Sequence, residues 1–232
     1  MQKEIQNRLS KLADADVKKS GERFFKEGVK LHGVKSGDVR KLAKEYFAQI
    51  DAMAKNEVFA LCEDLMQTDY LEEFSIACDF AYRKRRNFDK KDFKTFEKWV
   101  NTYVNNWAKC DTFCNHTNAD LIEKFPELIA ELKKWARSKN RWVRRAAAVT
   151  FILPARHGKF IVDVFAIADI MLTDTDDMVQ KGYGWALKAA SETDPKPVYD
   201  FVIARHKEMP RTAYRYAIEK LPPDMRKKAM RL

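Results

Sequence analysis

Glycine and proline are scarce in this sequence, with seven of each in 232 residues. The hairpin dipeptides Asn-Gly and Asp-Gly do not occur at all. Because tight β-hairpins depend on such turns, the sequence excludes a hairpin-rich β fold. Apolar residues make up 46% of the chain, which is enough for a hydrophobic core and excludes a disordered or fibrous protein.

Long hydrophobic runs and a disulfide-like cysteine pattern are also missing. No apolar run approaches the length of a membrane span, and the N-terminus lacks the apolar core of a secretory signal. The cysteines follow no disulfide spacing: Cys62, Cys78, Cys110 and Cys114. The sequence therefore predicts a cytoplasmic protein with reduced thiols and no membrane partner.

Signatures of several large enzyme classes are absent. There is no P-loop, no His-Glu-x-x-His motif and no Gly-x-Ser-x-Gly nucleophile elbow. The pair Gly182 and Gly184 lacks the third glycine of a dinucleotide fingerprint. Cys110, Cys114 and His116 invite a metal interpretation, but no fourth ligand lies nearby in the sequence. We therefore predict no metal and no cofactor.

Acidic residues are missing from one long stretch of a chain whose formal net charge is +10. Between Leu132 and Val162 there is no Asp or Glu, while nine Lys and Arg residues are present. Further basic clusters run from Arg83 to Arg86 and from Arg205 to Arg231. Each cluster alone is compatible with a solvated helix face, but three together favour a polyanionic partner.

Apolar residues recur at steps of three or four along nearly the whole chain, which is the helical period. The stretch from Leu121 to Ala136 forms one such stripe. Comparable stripes cover residues 39–50, 57–66, 70–82, 93–104, 142–152, 161–172, 178–190, 198–204 and 213–221. Side chains at Thr68-Asp69, Lys139-Asn140 and Thr175-Asp176 are predicted to cap helices. We predict an all-α fold in one domain, residues 1–232.

A weak internal repeat relates the segments that begin at Trp142, Met178 and Thr212, at intervals of 36 and 34 residues. A period in the thirties with two helices per unit is typical of a HEAT-like helical solenoid with a concave face. The alignment makes Arg145, Lys181 and Arg215 equivalent. It therefore predicts a ladder of cations along the concave face, unless these basic residues recur by chance.

Two segments contain residues suited to chemistry. Trp107 and Asp111 are four residues apart, so on a helix they share a face and place an aromatic ring beside a carboxylate. Alternatively, the tryptophan packs in the core and the aspartate caps a helix or pairs with an arginine. Trp185 follows two helical glycines, Gly182 and Gly184. Each costs about 1 kcal/mol against alanine, which indicates close approach of either another helix or a ligand.

Taken in order, Trp107-x-x-x-Asp111, Trp142-Val-Arg-Arg145 and Gln180-Lys-Gly-Tyr-Gly-Trp185-x-Leu-Lys188 resemble the AlkD-type DNA glycosylases. These are HEAT-like enzymes that excise alkylated purines. The stretch from Arg23 through Ser36 to Arg40 is similar to the opening helices of that family, so the resemblance covers nearly the whole chain.

The resemblance implies a role for each matching residue. Trp107 and Trp185 would form aromatic walls around the damaged nucleotide, and Asp111 would be the catalytic carboxylate. Phe24 stands near the lesion where the family usually has a tyrosine, so this chain lacks that hydroxyl. By the resemblance, the DNA backbone is contacted by Arg145, Lys188, Ser36 and Arg40. We also expect DNA contacts from Lys181 and Arg215, the other members of the cation ladder, and from Arg144 in the basic stretch.

The implied chemistry is hydrolysis of the N-glycosidic bond of N3- or N7-alkylated purines in double-stranded DNA. A cationic base leaves as a neutral molecule, so one ionised carboxylate is enough to stabilise an oxocarbenium-like sugar and to orient water. Tryptophan faces favour the cationic lesion. We expect a monomer. The alternatives are a non-catalytic HEAT-like module that binds damaged or branched DNA, and a scaffold for an acidic protein.

Overall fold

The computed structural model describes all residues, Met1–Leu232, and they form helices without any strand. One isolated β-bridge joins Lys30 to Tyr70. Contacts divide the chain into two compact units, Met1–Phe113 and Cys114–Leu232. The predicted all-α class is confirmed, whereas a single domain over residues 1–232 stays a prediction.

The first unit contains seven α-helices and a short 3-10 turn, Arg85–Asn87. The helices are α1 (Gln2–Leu12), α2 (Ala15–Glu22), α3 (Ser36–Ile50), α4 (Lys55–Gln67), α5 (Leu71–Arg83), α6 (Asp92–Tyr103) and α7 (Trp107–Phe113). Helix α5 packs against α3, α4 and α7. It therefore forms the centre of the unit.

The second unit begins with one π-helical turn, Cys114–Asn118, and includes a 3-10 turn, Pro126–Leu128. Its helices are α8 (Ala119–Lys124), α9 (Ile129–Trp135), α10 (Arg141–Val149), α11 (Ile152–Arg156), α12 (Ile161–Ile170), α13 (Asp177–Ser191), α14 (Pro195–Ala204), α15 (Arg211–Ala217) and α16 (Pro223–Ala229). Helix α13 packs against α10, α11, α12, α14 and α15. The longest helix of this unit is thus its core element.

Two of the three predicted helix caps are confirmed. The Asn140 side chain accepts from the Trp142 backbone N–H, and Asp176 accepts from the backbone N–H groups of Met178 and Val179. The prediction at Thr68-Asp69 was wrong, because α5 starts one residue later. Asp69 instead adopts a left-handed conformation with φ 69° and pairs with another helix.

The apolar stripe from Leu121 to Ala136 corresponds to two helices rather than one. Helix α8 ends at Lys124, a 3-10 turn begins at Pro126, and α9 follows. Proline has no N–H and disfavours helical geometry in the residue before it, so the helix stops while the apolar period continues. Pro222 and Pro223 have a different role: α15 has already ended at Ala217, and the two prolines form the N-cap and the first residue of α16.

An aromatic cluster fills the core of the first unit. The rings of Phe59, Phe96, Trp99 and Phe113 are all nearly inaccessible to solvent, with centroids 5.2 to 5.8 Å apart. Phe96 and Phe113 meet edge to face at 90°. Such pairs contribute about 0.5–1.5 kcal/mol beyond the area they bury. Since Phe113 is the last residue of α7, this cluster fixes one end of that helix.

The internal repeat corresponds to helices that stack within the second unit: α13 lies against both α10 and α15. A side chain at Gly182 would meet Arg145 Cγ at 3.3 Å, on α10. One at Gly184 would meet Ala213 O and Tyr216 Cβ at 2.8 Å, on α15. The two glycines therefore serve close helix packing on opposite sides of α13, one of the two explanations that the sequence left open.

We expect Gly184→Ala to lower the free energy of unfolding by about 2 kcal/mol, because overpacking a close helix contact typically costs about 1–3 kcal/mol. Gly37→Ala is the control, since no atom lies within 4 Å of the position of the new methyl group. That change should be neutral or slightly stabilising. Chemical denaturation measures both. Equal effects of the two changes would contradict the packing role of Gly184.

The four cysteines are buried and form no disulfide. Burial raises the pKa of both the Cys62 and the Cys78 thiol. The structure contains no group of three or more His, Cys, Asp or Glu side chains placed to hold a metal ion. It also contains no helix with the length and apolar character needed to cross a bilayer.

Candidate active site

Helix α7 has one buried and one half-exposed face. Lys109, Cys110 and Phe113 are at most 1% exposed. Trp107 and Asp111 lie on the other face, one helical turn apart, and are both partly accessible to solvent. The predicted pairing of an indole and a carboxylate on one helix face is therefore present, and both groups can be reached from solvent.

The first turn of α7 is held by a buried ion pair. The Lys109 ammonium is 1% exposed and pairs with the Asp69 carboxylate, which also accepts from Asn105 Nδ2 at 2.7 Å. Asn106 Oδ1 accepts from the Lys109 backbone N–H at 3.0 Å and so caps the helix start. With Phe113 in the aromatic cluster, both ends of α7 are fixed.

Burial shapes the ionisation of this pair. Desolvation lowers the pKa of Lys109 below its ordinary value, although Asp69 favours the charged form. Burial also raises the pKa of Asp69, but the hydrogen bonds from Lys109 and Asn105 outweigh it, so the pKa lies below its ordinary value. The hydrogen bonds within the pair thus favour the charged form of each group against the effect of burial.

Trp107 is oriented by the segment that follows α2. Its indole stacks on the Phe25 ring, with centroids 5.3 Å apart and planes 13° apart, and its Nε1–H donates to the Phe24 carbonyl at 3.4 Å. The Phe24 side chain itself is 70% exposed. Phe24 thus lies next to Trp107, but its contact with Trp107 is through the backbone, and Phe25 supplies the ring.

The segment between α2 and α3 is fixed at its C-terminal end, residues 32–34, by two buried carboxylates at the start of α5. Glu72 accepts from the backbone N–H groups of His32, Gly33 and Val34 at 3.1, 2.8 and 3.2 Å. Glu73 accepts from His32 Nε2 at 2.7 Å. These hydrogen bonds replace the water that the two carboxylates lose on burial. They also tie residues 32–34 to α5, and so fix one end of the segment that carries Phe24 and Phe25.

Ser36 and Arg40 lie at the start of α3, and both are exposed. No side chain caps this helix, so the backbone N–H groups of its first residues remain available. Gly37 leaves open space around them. A helix N-terminus with an arginine one turn along is suited to a phosphate oxygen. The geometry is compatible with the predicted backbone contacts.

In the second unit, Lys181, Trp185 and Lys188 share one half-exposed face of α13, at spacings of four and three residues. Lys181 pairs with Asp177 at 3.1 Å. Lys188 pairs with Glu219 at 3.1 Å, and its ammonium lies 5.4 Å from the Tyr216 ring centre. The Lys181–Asp177 pair is partly exposed and weak, so Lys181 can exchange its carboxylate for a phosphate at low cost. The Lys188 side chain is only 14% exposed, so the same exchange costs more there.

Arg145 differs from the other two members of the predicted ladder. Its side chain is buried, 4% exposed, and Nη1 donates to the Met178 carbonyl at the start of α13. Gly182 makes room for its stem. Arg215 on α15 is exposed. The helices stack as the repeat predicts, but the ladder contains one buried arginine because it lies in the α10–α13 contact.

Arg144 is engaged within the protein. Its guanidinium holds the Asp174 carboxylate through Nε at 2.6 Å and Nη2 at 3.3 Å, and Nη1 donates to the Ser138 carbonyl at 2.9 Å. A bidentate pair of this kind is among the stronger ion pairs. A DNA contact of Arg144 stays a prediction, and it would have to compete with Asp174.

Sequence reasoning missed three residues that shape the site: Phe25, Asp69 and Lys109. Asp69 and Lys109 are 40 positions apart, so nothing local links them. The available signal was the position of Lys109 on the same side of the helix as the apolar Phe113, since a buried lysine requires a partner. Phe25 could not be distinguished from Phe24, because both are aromatic and adjacent in a non-periodic segment.

Comparisons with known proteins agree with this architecture. The family model described as "DNA alkylation repair enzyme" matches residues 5–221. A solved structure described as a predicted DNA alkylation repair enzyme from Enterococcus faecalis is similar in fold, with a TM-score of 0.81 and 16% sequence identity. The match covers 91% of this chain and 97% of that one. No curated protein matches the sequence. Because the family model spans nearly the whole chain, the protein belongs to the DNA alkylation repair enzyme family.

Proposed function

We propose that the protein is a DNA N-glycosylase of the AlkD type that removes cationic N3- and N7-alkylated purines from double-stranded DNA. One observation carries the proposal: Trp107 and Asp111 lie one turn apart on the accessible face of α7. The opposite face of the helix is locked by the Lys109–Asp69 pair and by Phe113. A reactive carboxylate is thus held on a rigid element beside an aromatic plane.

The reaction needs only one carboxylate. As the C1′–N bond breaks, its electron pair goes to the alkylated base, which leaves neutral, and positive charge develops on the deoxyribose. Asp111 stabilises that charge and orients a water molecule, whose oxygen bonds to C1′ and whose proton passes to the carboxylate or to solvent. A neutral damaged base would have to be protonated first, and this site contains no assigned acid for that step.

Trp107 contributes to the choice of substrate. An indole face attracts a cation by about 0.5–2 kcal/mol, depending on desolvation. Its stacking on Phe25 and its bond to the Phe24 carbonyl limit rotation of the ring. A ring already fixed in position loses little entropy on binding, which strengthens its contact with the lesion.

The remaining assignments concern DNA binding. We propose that Ser36 and Arg40 contact the backbone at the start of α3, and that Lys181, Lys188 and Arg215 do so in the second unit. The roles of Trp185 as a second aromatic wall and of Arg145 in holding the backbone rest on the family resemblance, as does Phe24 beside the lesion. We further propose that the protein acts as a monomer without cofactor or metal.

The test is release of free base from duplex DNA containing 7-methylguanine or 3-methyladenine, with hypoxanthine as a neutral lesion. We expect release of the cationic bases only. Duplex affinity measured at several salt concentrations runs in parallel, because phosphate contacts make affinity fall steeply with salt. Salt-dependent binding without release would favour the non-catalytic module. Neither release nor binding would favour a protein scaffold.

A further inference from the structure

A second cleft lies in the first unit, at the end of α5 opposite to α7. It has a volume of about 560 Å³ and is open to solvent. Its walls are the end of α3 with the residues after it, and the basic run Arg83–Arg86. Asp51 is the one carboxylate among its lining residues. The proposed reaction uses none of these groups, although the charge pattern of the sequence had singled out this run.

Lys84 gives the cleft a buried positive charge. The residue is 8% exposed, and its ammonium donates to the carbonyls of Asp51 at 2.7 Å and Met53 at 2.9 Å. No carboxylate lies within ion-pair distance of it. The two carbonyl oxygens accept hydrogen bonds from the ammonium but carry only partial negative charge. They therefore neutralise only part of the positive charge of Lys84.

Arg83 and Arg85 are fixed by aromatic rings. The Arg83 guanidinium lies 5.3 Å from the Phe47 ring centre and uses Nε for Asp79, while its two terminal nitrogens have no partner. The Arg85 guanidinium lies 4.4 Å from the Tyr82 ring centre. Arg85 Nη1 also donates to the Tyr82 carbonyl at 3.3 Å. Stacking holds both guanidinium planes in place, and a fixed guanidinium is suited to a phosphate group.

We propose that this cleft binds a phosphate of the DNA backbone, at a place separate from the candidate active site. The chemistry follows from the residues: a buried ammonium, arginine forks and a single acid form a site for a phosphodiester. The identification of DNA as the polymer that carries this phosphodiester rests on the proposed function. The cleft itself depends on no residue of the α7 site.

The length of α5 sets the spacing between the two sites. Near its start, the Lys109 ammonium of α7 pairs with Asp69, two residues before α5, and lies 5.5 Å from the Phe74 ring centre, while the last residue of α5 is Arg83. A helix of 13 residues is about 20 Å long. That distance corresponds to about six base pairs of B-form DNA. A duplex that reaches both sites therefore needs flanking sequence beyond the lesion.

The test compares wild type with Arg83→Gln on two undamaged duplexes, one of about five base pairs closed by a hairpin loop, too short to span both sites, and one of about 24 base pairs. We expect Arg83→Gln to bind the long duplex about 3- to 10-fold more weakly and to lose about one unit of salt slope. Affinity for the short duplex should fall less, because this duplex is too short to contact the cleft and the α7 site at the same time. Arg83→Lys, which keeps the charge, should recover much of the loss.

Arg8→Gln is the matched control, because Arg8 also forms an exposed ion pair in the first unit, with Glu45, and lies outside the cleft. Fluorescence anisotropy measures binding, and thermal unfolding checks that both variants fold. An equal loss on both duplexes, an equal loss with Arg8→Gln, or no loss would each overturn the proposal. If the loss of affinity depends on duplex length but the wild-type protein releases no base, the phosphate-binding role of the cleft would stand and the glycosylase proposal would be wrong.

Discussion

Asp111→Asn is expected to reduce base release from 7-methylguanine DNA by at least about 100-fold, because removal of one preorganised electrostatic group from a transition state typically costs this much. The change keeps the size and hydrogen-bonding shape of the side chain. It removes the negative charge that faces the developing sugar cation. The loss should therefore appear in the single-turnover rate.

DNA affinity separates this outcome from misfolding. A carboxylate next to the phosphate backbone repels it, so Asp111→Asn should bind duplex DNA as tightly as wild type or more tightly. Asp64→Asn, which neutralises an exposed carboxylate on α4, is the matched control and should release base at the wild-type rate. Base release by Asp111→Asn at the wild-type rate would remove Asp111 from the mechanism.

Asp69→Asn is expected to lower the free energy of unfolding by about 2 kcal/mol. Removing one partner of a buried ion pair typically costs about 3–5 kcal/mol, and the 43% exposure of the Asp69 side chain justifies a smaller figure. Asparagine tolerates left-handed backbone, so the φ of 69° adds little strain. The buried Lys109 ammonium then lacks a carboxylate. Chemical denaturation measures the effect.

The pH dependence supplies an independent check of the same pair. Because the pKa of Asp69 is lowered in the folded state, its contribution is present above the ordinary value near 3.8 and is lost as the pH falls through the folded value. The stability difference between wild type and Asp69→Asn should therefore shrink at acid pH. Asp16→Asn, at an exposed carboxylate of α2, is the control. A difference that is constant down to low pH would contradict the ion pair.

Helix positions were largely predictable because burial of an apolar stripe repeats with the helical period. The stripes at 39–50, 57–66 and 178–190 all lie within observed helices. The boundary near Pro126 was not predicted, since the hydrophobic pattern continues across the break. Helix caps were predictable where the capping side chain bonds to its own helix, as Asn140 and Asp176 do. The prediction failed at Asp69, which bonds to a residue 40 positions away.

The candidate site was predictable where residues share one helix. Trp107 and Asp111 are linked by a spacing of four, and Lys181, Trp185 and Lys188 by spacings of four and three. Burial was not predictable at Arg145, because sequence spacing places a residue on a face without indicating which neighbour covers it. The contact of α10 with α13, at Gly182 and at the Met178 carbonyl, makes this arginine an interior residue.

The burial of all four cysteines has a consequence for a protein whose family deals with alkylation damage. Electrophiles that alkylate DNA bases also react with protein thiols, and the thiolate is the reactive form. Each cysteine here is covered by protein, and burial keeps Cys62 and Cys78 protonated by raising the pKa of each thiol. The folded chain therefore offers poor nucleophiles to such reagents, and its own resistance to chemical inactivation depends on its staying folded.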